Sequence, residues 1–357
     1  MRLLYATHRY SPFVGGVESF VESLAKEMYR RGHEVHVISL VPFLSSQSDE
    51  SDSKADAGIE VSRFWGISPA NAYHLPLFRF ANKLRKKADV VHVQCLHSLV
   101  VPLSYLLRRK GVDWGRFVVS THYHGTGHSW HAKAMWSFYR PFIRGFLSDA
   151  DAVHAVSPFE ASLLEEDFGV HPIVIPHGVM EDVFAHSLKK PSHTRVICVG
   201  RQWDYKRTDL VLGAFPLVQE QDKEAEIVVV GEGQHVGSLR RLAERLSVKA
   251  TFEGFLPRNT YLDELSQSTC LVNLSRKEAY SISVAEALAL GLPAIVVGPW
   301  GKNFELYHGV TVLRRDPSLS EIADAILNCG SSCRTRPTFP TWREVALTIE
   351  NRLYAAG

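Results

Sequence analysis

The chain has 357 residues, 45% hydrophobic and 22% charged, with a formal net charge of +2. That composition excludes a disordered or fibrous protein, and the length fits two domains of ordinary size. No uninterrupted apolar stretch approaches a bilayer span, and His8 and Arg9 end the apolar run at residues 3–6 too early for a signal-peptide core, so we expect a cytoplasmic protein that meets a membrane, if at all, peripherally at its inner face.

Residues 2–7 predict a buried first strand, followed by a loop with Pro12, Gly15 and Gly16. Val17, Phe20, Val21, Leu24, Ala25 and Met28 then recur at helical spacing up to Gly32, and residues 34–40 predict a second strand. This is one βαβ unit. Residues 44–58, rich in Ser, Asp and Lys, predict a mobile loop. Further strands are expected at 90–93, 117–120, 152–156 and 172–175, with helices at 77–87 and 132–147. From Arg63 to Arg144 there are thirteen Lys or Arg against two acids, Asp89 and Asp113. Such a region suits an anionic partner as well as it suits a basic face balanced elsewhere. After a polar stretch at 189–194 the pattern restarts, with strands expected at 195–199, 225–230, 250–252, 270–274 and 294–297. The reading is an α/β protein with a domain at 1–188, a second at 189–340, and an amphipathic helix at 341–357 packing back on the first. The five cysteines (Cys95, Cys198, Cys270, Cys329, Cys333) lack zinc-ligand spacing and read as reduced thiols.

Four segments carry chemistry. Gly15-Gly16 lets backbone amides approach a phosphate at a helix N-terminus, although a tight turn alone would also use glycine. It is not the G-x-G-x-x-G fingerprint, and residues 39–42 offer no acid, which argues against a nicotinamide-dependent oxidoreductase. His122, His124, His128 and His131 follow the strand 117–120 with no interleaved carboxylate or Cys, so no metal is expected there. A His beside Gly125 at a sheet mouth suits a sugar hydroxyl or a phosphate, or a purely structural bond. Arg201 and Lys206, after Gly200, can reach one anion together, with a solvated surface pair as the plain alternative. Glu278 and Glu286 sit eight residues apart across an expected helix start. Ser283 with Glu286 fits a capping box. That leaves Glu278 in the preceding loop, beside amides near Ser281, Ile282 and Ser283 that are free for a diphosphate.

The ordered set of these segments resembles the retaining GT-B glycosyltransferases of family 4, the glycosyltransferase group 1 type. The resemblance also takes in Asp151–Ser157, Ile175–Gly178, Gly231-Glu-Gly233 and Gly291-Leu-Pro293. It implies a GT-B fold, two Rossmann-like doubly wound parallel-sheet domains facing across a cleft. It implies a nucleotide-sugar donor, a glycan or lipid-phosphate-linked acceptor, retention, no metal or other cofactor, and no nucleic-acid partner. Arg201 and Lys206 would bind the donor diphosphate, Glu278 the transferred sugar, and Glu286 the ribose. Gly15, Gly16, Gly200, Gly231, Ser281, Ile282 and Ser283 would line the phosphates, and Phe255 and Leu256 the base. His124 would touch the sugar or phosphate. Arg207 stands where the family usually has Gly, His177 where Asn is common, and Gly298–Glu305 departs from the usual Gly-rich segment. A catalytically silent GT-B scaffold is the alternative reading. Trp130, Trp136, Phe138, Tyr139, Phe142 and Phe146, interleaved with Lys133, Arg140 and Arg144, read either as an anionic-membrane face or as a core stripe.

Overall fold

The computed structural model describes residues 1–42, 51–54, 58–67, 75–76, 78–125, 130–189, 191–329 and 336–355. The chain forms two compact units, Met1–Gly178 with Trp342–Gly357, and Val179–Thr341. The division therefore falls upstream of the polar stretch at 189–194, and the last segment belongs with the first unit.

The first unit is built on β1 (Arg2–Thr7), β2 (Glu34–Pro42), β3 (Ser51–Lys54), β4 (Glu60–Ile67), β5 (Leu75–Pro76), β6 (Ala88–Gln94), β7 (Trp114–Ser120), β8 (Ala152–Ala155) and β9 (Ile173–Val174). Seven strands run parallel in the order β4-β2-β1-β6-β7-β8-β9. The short β3 and β5 both pair antiparallel with β4. The loop expected at 44–58 is thus corrected at its centre: residues 51–54 form an edge strand, while 44–50 and 55–57 lie outside the described residues.

The second unit holds β10 (Arg195–Val199), β11 (Glu226–Val230), β12 (Ala250–Gly254), β13 (Cys270–Asn273), β14 (Ala294–Val297) and β15 (Val310–Leu313). All six are parallel, in the order β12-β11-β10-β13-β14-β15. β10, β11, β13 and β14 are near-continuous apolar runs, as expected where helices cover both faces. β13 and β14 are wholly buried. In each sheet the order reverses beside the first strand, between β1 and β6 and between β10 and β13. At such a point neighbouring loops leave on opposite faces and open a crevice at the strands' carboxyl ends.

A polar relay crosses the first unit's core. Tyr5 meets the Tyr354 hydroxyl at 3.0 Å, Tyr354 meets His92 Nδ1 at 2.7 Å, and His92 Nε2 meets Ser120 Oγ at 2.7 Å. Ser120 Oγ meets His154 Nδ1 at 2.6 Å, and His154 Nε2 donates to the Ile175 carbonyl at 2.8 Å. A carbonyl only accepts, so with neutral imidazoles the direction of every bond follows from that last one. Tyr5 donates to Tyr354, Tyr354 to His92, His92 to Ser120, and Ser120 to His154. Beside the relay, the Phe20 ring packs against His122, His154, His177 and Trp342 at 5.1–5.7 Å between centroids.

Burial holds all four histidines neutral. His154 is pushed down to about 4 and His177 to about 3, and His92 and His122 lie well below their ordinary value, with neighbouring imidazoles adding to burial at His177, His92 and His122. The unfolded chain binds these protons near pH 6.5 and the folded one does not, so stability is full above that pH and falls as pH drops toward the folded values. Glu160, raised to about 7 by burial, acts in the opposite sense and offsets one of the four. We therefore expect denaturant unfolding of the first unit to lose on the order of a few kcal/mol between neutral pH and pH 5. Equal unfolding free energies at the two pH values would contradict this.

Candidate active site

The loops after β10 and β13 leave the second unit's switch point together. Gly200 follows β10 at φ +131°, a conformation that favours glycine. A short 3-10 turn, Asp204–Lys206, then carries the Lys206 ammonium to Glu278 Oε1 at 2.5 Å, across 72 positions of sequence. Both side chains are mostly covered, at 14% and 16% exposure. Burial pushes the Lys206 ammonium down, but Glu278 and the Tyr205 hydroxyl outweigh it and hold the group above its ordinary value, while Arg201 opposes it. Arg201 itself is exposed. A β-carbon on Gly200 would press on Lys206 Nζ at 3.1 Å, so this glycine also makes room for the ammonium.

Gln202 ties the loops together. Its side-chain amide donates to the Gly200 carbonyl at 2.7 Å, its carbonyl accepts from Thr208 Oγ1 at 2.8 Å, and its backbone N–H donates to the Glu232 carbonyl at 2.9 Å. Gly231, at φ +118°, lies against the Gly200 carbonyl, where no β-carbon fits. On the other flank, Trp300 is fully buried and its indole N–H donates to the Ser275 carbonyl at 2.6 Å, bracing the loop that carries Glu278. Arg207 adopts a left-handed backbone, at φ +58°, of the kind glycine takes most readily. Its guanidinium donates to the Arg315 carbonyl at 2.7 Å and pairs with Asp316 at 3.2 Å, contacts that offset the roughly 1 kcal/mol cost of that conformation.

The helix Ile282–Leu290 begins at Ser281, whose φ of +87° turns the chain sharply into it. The Ser281 hydroxyl accepts from Asn273 Nδ2 at 3.0 Å. No side chain caps this helix, so the expected capping box from Ser283 to Glu286 does not form. Glu286, itself buried, points instead into a partly buried polar cluster. Arg258 NH1 donates to its Oε1 at 2.5 Å and the Tyr261 hydroxyl to its Oε2 at 2.9 Å. The first-turn amides near Ser281, Ile282 and Ser283 are donors that a helix leaves unpaired internally. Phe255 is 62% exposed and Leu256 is half-buried, just after Gly254.

Gly15, Gly16 and His124 lie in the first unit. Gly15 is extended and opens the helix Gly16–Arg30, and a β-carbon on Gly16 would meet nothing within 4 Å. The chain's own packing therefore does not demand glycine at 16. His124 follows β7 and stacks on His97 with ring centroids 4.7 Å apart. His122 turns inward, with Nε2 at 3.0 Å from Gln94 Oε1. The residues 126–129, His128 included, and the side chain of His131 lie outside what is described, and among the described residues no group of three His, Cys, Asp or Glu gathers into a metal cluster.

Two family descriptions match this chain: Glycosyltransferase Family 4 over residues 14–183, and Glycosyl transferases group 1 over residues 193–331. The chain belongs to the GT-B glycosyltransferases of the family 4, group 1 type. It is 26% identical over 262 residues to the GDP-mannose-dependent alpha-(1-6)-phosphatidylinositol monomannoside mannosyltransferase of Mycolicibacterium smegmatis. That match spans 69% of this chain and 65% of the relative. It is 24% identical over 353 residues to the alpha-monoglucosyldiacylglycerol synthase of Streptococcus pneumoniae, spanning 87% and 76%. Sucrose-phosphate synthase from Thermosynechococcus elongatus shares the fold with a TM-score of 0.78 at 17% identity, over 98% of each chain.

Several residues that shape this glycosyltransferase's site were not expected: Gln202, Trp300, Arg258, Tyr261 and Asp182 in the second unit, and Glu160 in the first. Only Glu160 carried a sequence signal. Ser157 caps the helix Pro158–Phe168 by accepting from the Glu160 N–H at 3.0 Å. The buried Glu160 carboxylate then accepts from Val156 N–H, Tyr123 N–H and the Thr121 hydroxyl, which anchors the segment leading to His124. For the second unit, Gly231→Ala is expected to destabilise by about 2 kcal/mol or more, through the carbonyl clash and the positive φ together. A denaturation midpoint unchanged in that variant would refute the packing argument.

Proposed function

We propose that this glycosyltransferase moves a hexosyl group from a nucleotide-diphosphate sugar to a glycan or lipid-linked acceptor, with retention and without a metal. The observation that carries the reading is the covered Lys206–Glu278 pair beside exposed Arg201 at the second unit's switch point. A departing nucleoside diphosphate gains negative charge, and preorganised cations answer that demand. Lys206 has three N–H donors, so it can keep Glu278 and still donate to a phosphate oxygen. The amides at Ser281, Ile282 and Ser283 supply further donors to the diphosphate. Glu278 accepts from hydroxyls of the transferred sugar, Glu286 from the ribose, and Phe255 and Leu256 give the base an apolar rest. Gly200 and Gly231 keep the loops low enough for a phosphate to approach. In the first unit, Gly15, Gly16 and His124 keep the phosphate and sugar contacts that the resemblance implies.

The bond from the anomeric carbon to the donor phosphate oxygen breaks, and its electron pair leaves with the diphosphate. The acceptor oxygen bonds to the same face of that carbon. Its proton passes to the departing phosphate oxygen, so no separate base is required. The M. smegmatis relative is named for GDP-mannose, and both named relatives for lipid products or acceptors, which supports a nucleotide sugar and a lipid-linked acceptor here.

Calorimetry with UDP and with GDP, without added metal, tests the donor side. One nucleotide should bind saturably to the wild type, and Lys206→Ala should lower kcat/KM with the matching donor by about 100-fold. Failure of both nucleotides to bind would favour the silent scaffold.

The acceptor side rests on the helix Trp130–Ser148. Trp136, Ile143 and Leu147 face the core, Tyr139 and Phe146 are half-buried, and Phe138 and Phe142 stand out at 85% and 60% exposure beside exposed Arg140 and Arg144. The side chains of Trp130 and Lys133 lie outside what is described; the rest of the aromatic stripe is split between core and surface, and its outer part suits an anionic bilayer surface. Among the described residues no helix is long and apolar enough to cross a membrane. The wild type should float with anionic vesicles at low salt and detach as salt rises, and Phe138→Ser/Phe142→Ser should not float. Absence of wild-type flotation at low salt would remove the membrane from the proposal.

A further inference from the structure

Glu286 is 95% covered, yet the resemblance asks it to receive ribose hydroxyls. A carboxylate buried on a helix needs a partner to stay ionised and an external brace to hold its angle. Both come from one side chain. Arg258 opens the helix Arg258–Ser266 and spreads its fork two ways. NH1 donates to Glu286 Oε1 at 2.5 Å, while Nε and NH2 donate to the two carboxylate oxygens of Asp182 at 2.9 and 2.8 Å. The bidentate pairing fixes the plane of the guanidinium, and that plane fixes the approach to Glu286. Tyr261, one turn along the same helix, holds the second oxygen at 2.9 Å and lies under the guanidinium, 5.6 Å from its ring centroid.

Counting lone pairs shows what remains. An ionised carboxylate offers about four acceptor positions, and Arg258 and Tyr261 occupy two, one on each oxygen. The free positions are therefore confined to the edge of Glu286 that Arg258 and Tyr261 leave open. We propose that Arg258, locked by Asp182, is the positioning residue that keeps Glu286 ionised and aims its two open acceptor positions at the donor's ribose. The inference rests on the donor reading given above.

The groups facing Glu286 are Arg258 and Tyr261 from the helix Arg258–Ser266 and Asp182 from the helix Glu181–Ala185. Burial and the Asp182 charge push the Glu286 carboxyl up, and Arg258 and Tyr261 pull it back only in part. Removing Arg258 takes away the largest opposing influence, so the carboxyl gains its proton at higher pH and loses acceptor strength there.

The test is a pair of measurements on the full chain in the wild type, Arg258→Gln and Arg258→Lys. The first follows the Glu286 side-chain carbon by NMR against pH, with Glu286→Gln identifying the resonance. The second measures UDP and GDP affinity between about pH 6 and pH 8. Arg258→Gln should move the Glu286 titration upward and make nucleotide affinity fall about tenfold further toward the acid end than it does in the wild type. Arg258→Lys should restore the titration but not the full affinity, because an ammonium lacks the fork. A purely structural role would lower affinity equally at every pH. An unmoved Glu286 titration with intact wild-type binding overturns the role of Arg258 alone. A wild type that binds neither nucleotide overturns the donor reading, and the ribose assignment with it.

Discussion

The adjacency of β10 and β13 governs the second unit. In sequence, the loops carrying Lys206 and Glu278 are 72 positions apart. In a sheet ordered β12-β11-β10-β13-β14-β15 they start from neighbouring strands, where the chain's winding reverses and the helices part. That adjacency lets the Lys206 ammonium and the Glu278 carboxylate meet with little solvent access. The neighbouring features serve that meeting. Gly231 lets the β11 loop press against the β10 loop, the Gln202 backbone N–H bonds the two together at the Glu232 carbonyl, and Trp300 supports the β13 loop from the β14 side.

The first unit solves a related problem with different chemistry. Its loop after β7 carries His122, Tyr123 and His124 past a buried carboxylate, Glu160, which accepts from that loop and from the end of β8. The histidines below it are neutral hydrogen-bonding units rather than charges. The Ile175 carbonyl sets the polarity of a chain of bonds that ends at two tyrosines. A core wired this way has one satisfied arrangement and few alternatives, which favours a single loop conformation at the sheet's mouth.

Much of the fold was legible because buried parallel strands are short apolar runs. The runs at 2–7, 195–199 and 294–297 coincide with β1, β10 and β14. β4 and β15 escaped notice for physical reasons. Glu60–Ile67 mixes Glu, Ser, Arg and Gly with its apolar residues, since much of it lies toward the sheet's edge. Val310–Leu313 is an edge strand of four half-buried residues. At the site, the residues whose types announce chemistry stood out: Arg201, Lys206, Glu278 and Glu286. Their supports did not, because Asp182, Arg258 and Tyr261 act through distant partners that no local spacing encodes, and Gln202 is a common residue whose loop bonds carry no motif of their own. Ser283 and Glu286 fit a local capping rule, and the tertiary pull of Arg258 and Tyr261 overrode it.

The chain leaves the first unit after Gly178 and returns to it at Trp342. Trp342 packs against Phe20, and Tyr354 closes the relay to Tyr5 across 349 positions. On a ribosome, the first 178 residues therefore emerge with their core unfinished. They must wait, with His92 lacking Tyr354 and Phe20 lacking Trp342, while the entire second unit is made. The unit that starts first therefore cannot complete its core until the last segment of the chain is made. In that interval the unfinished core exposes apolar surface, and a chaperone that shields it would matter more for this half of the molecule than for the other.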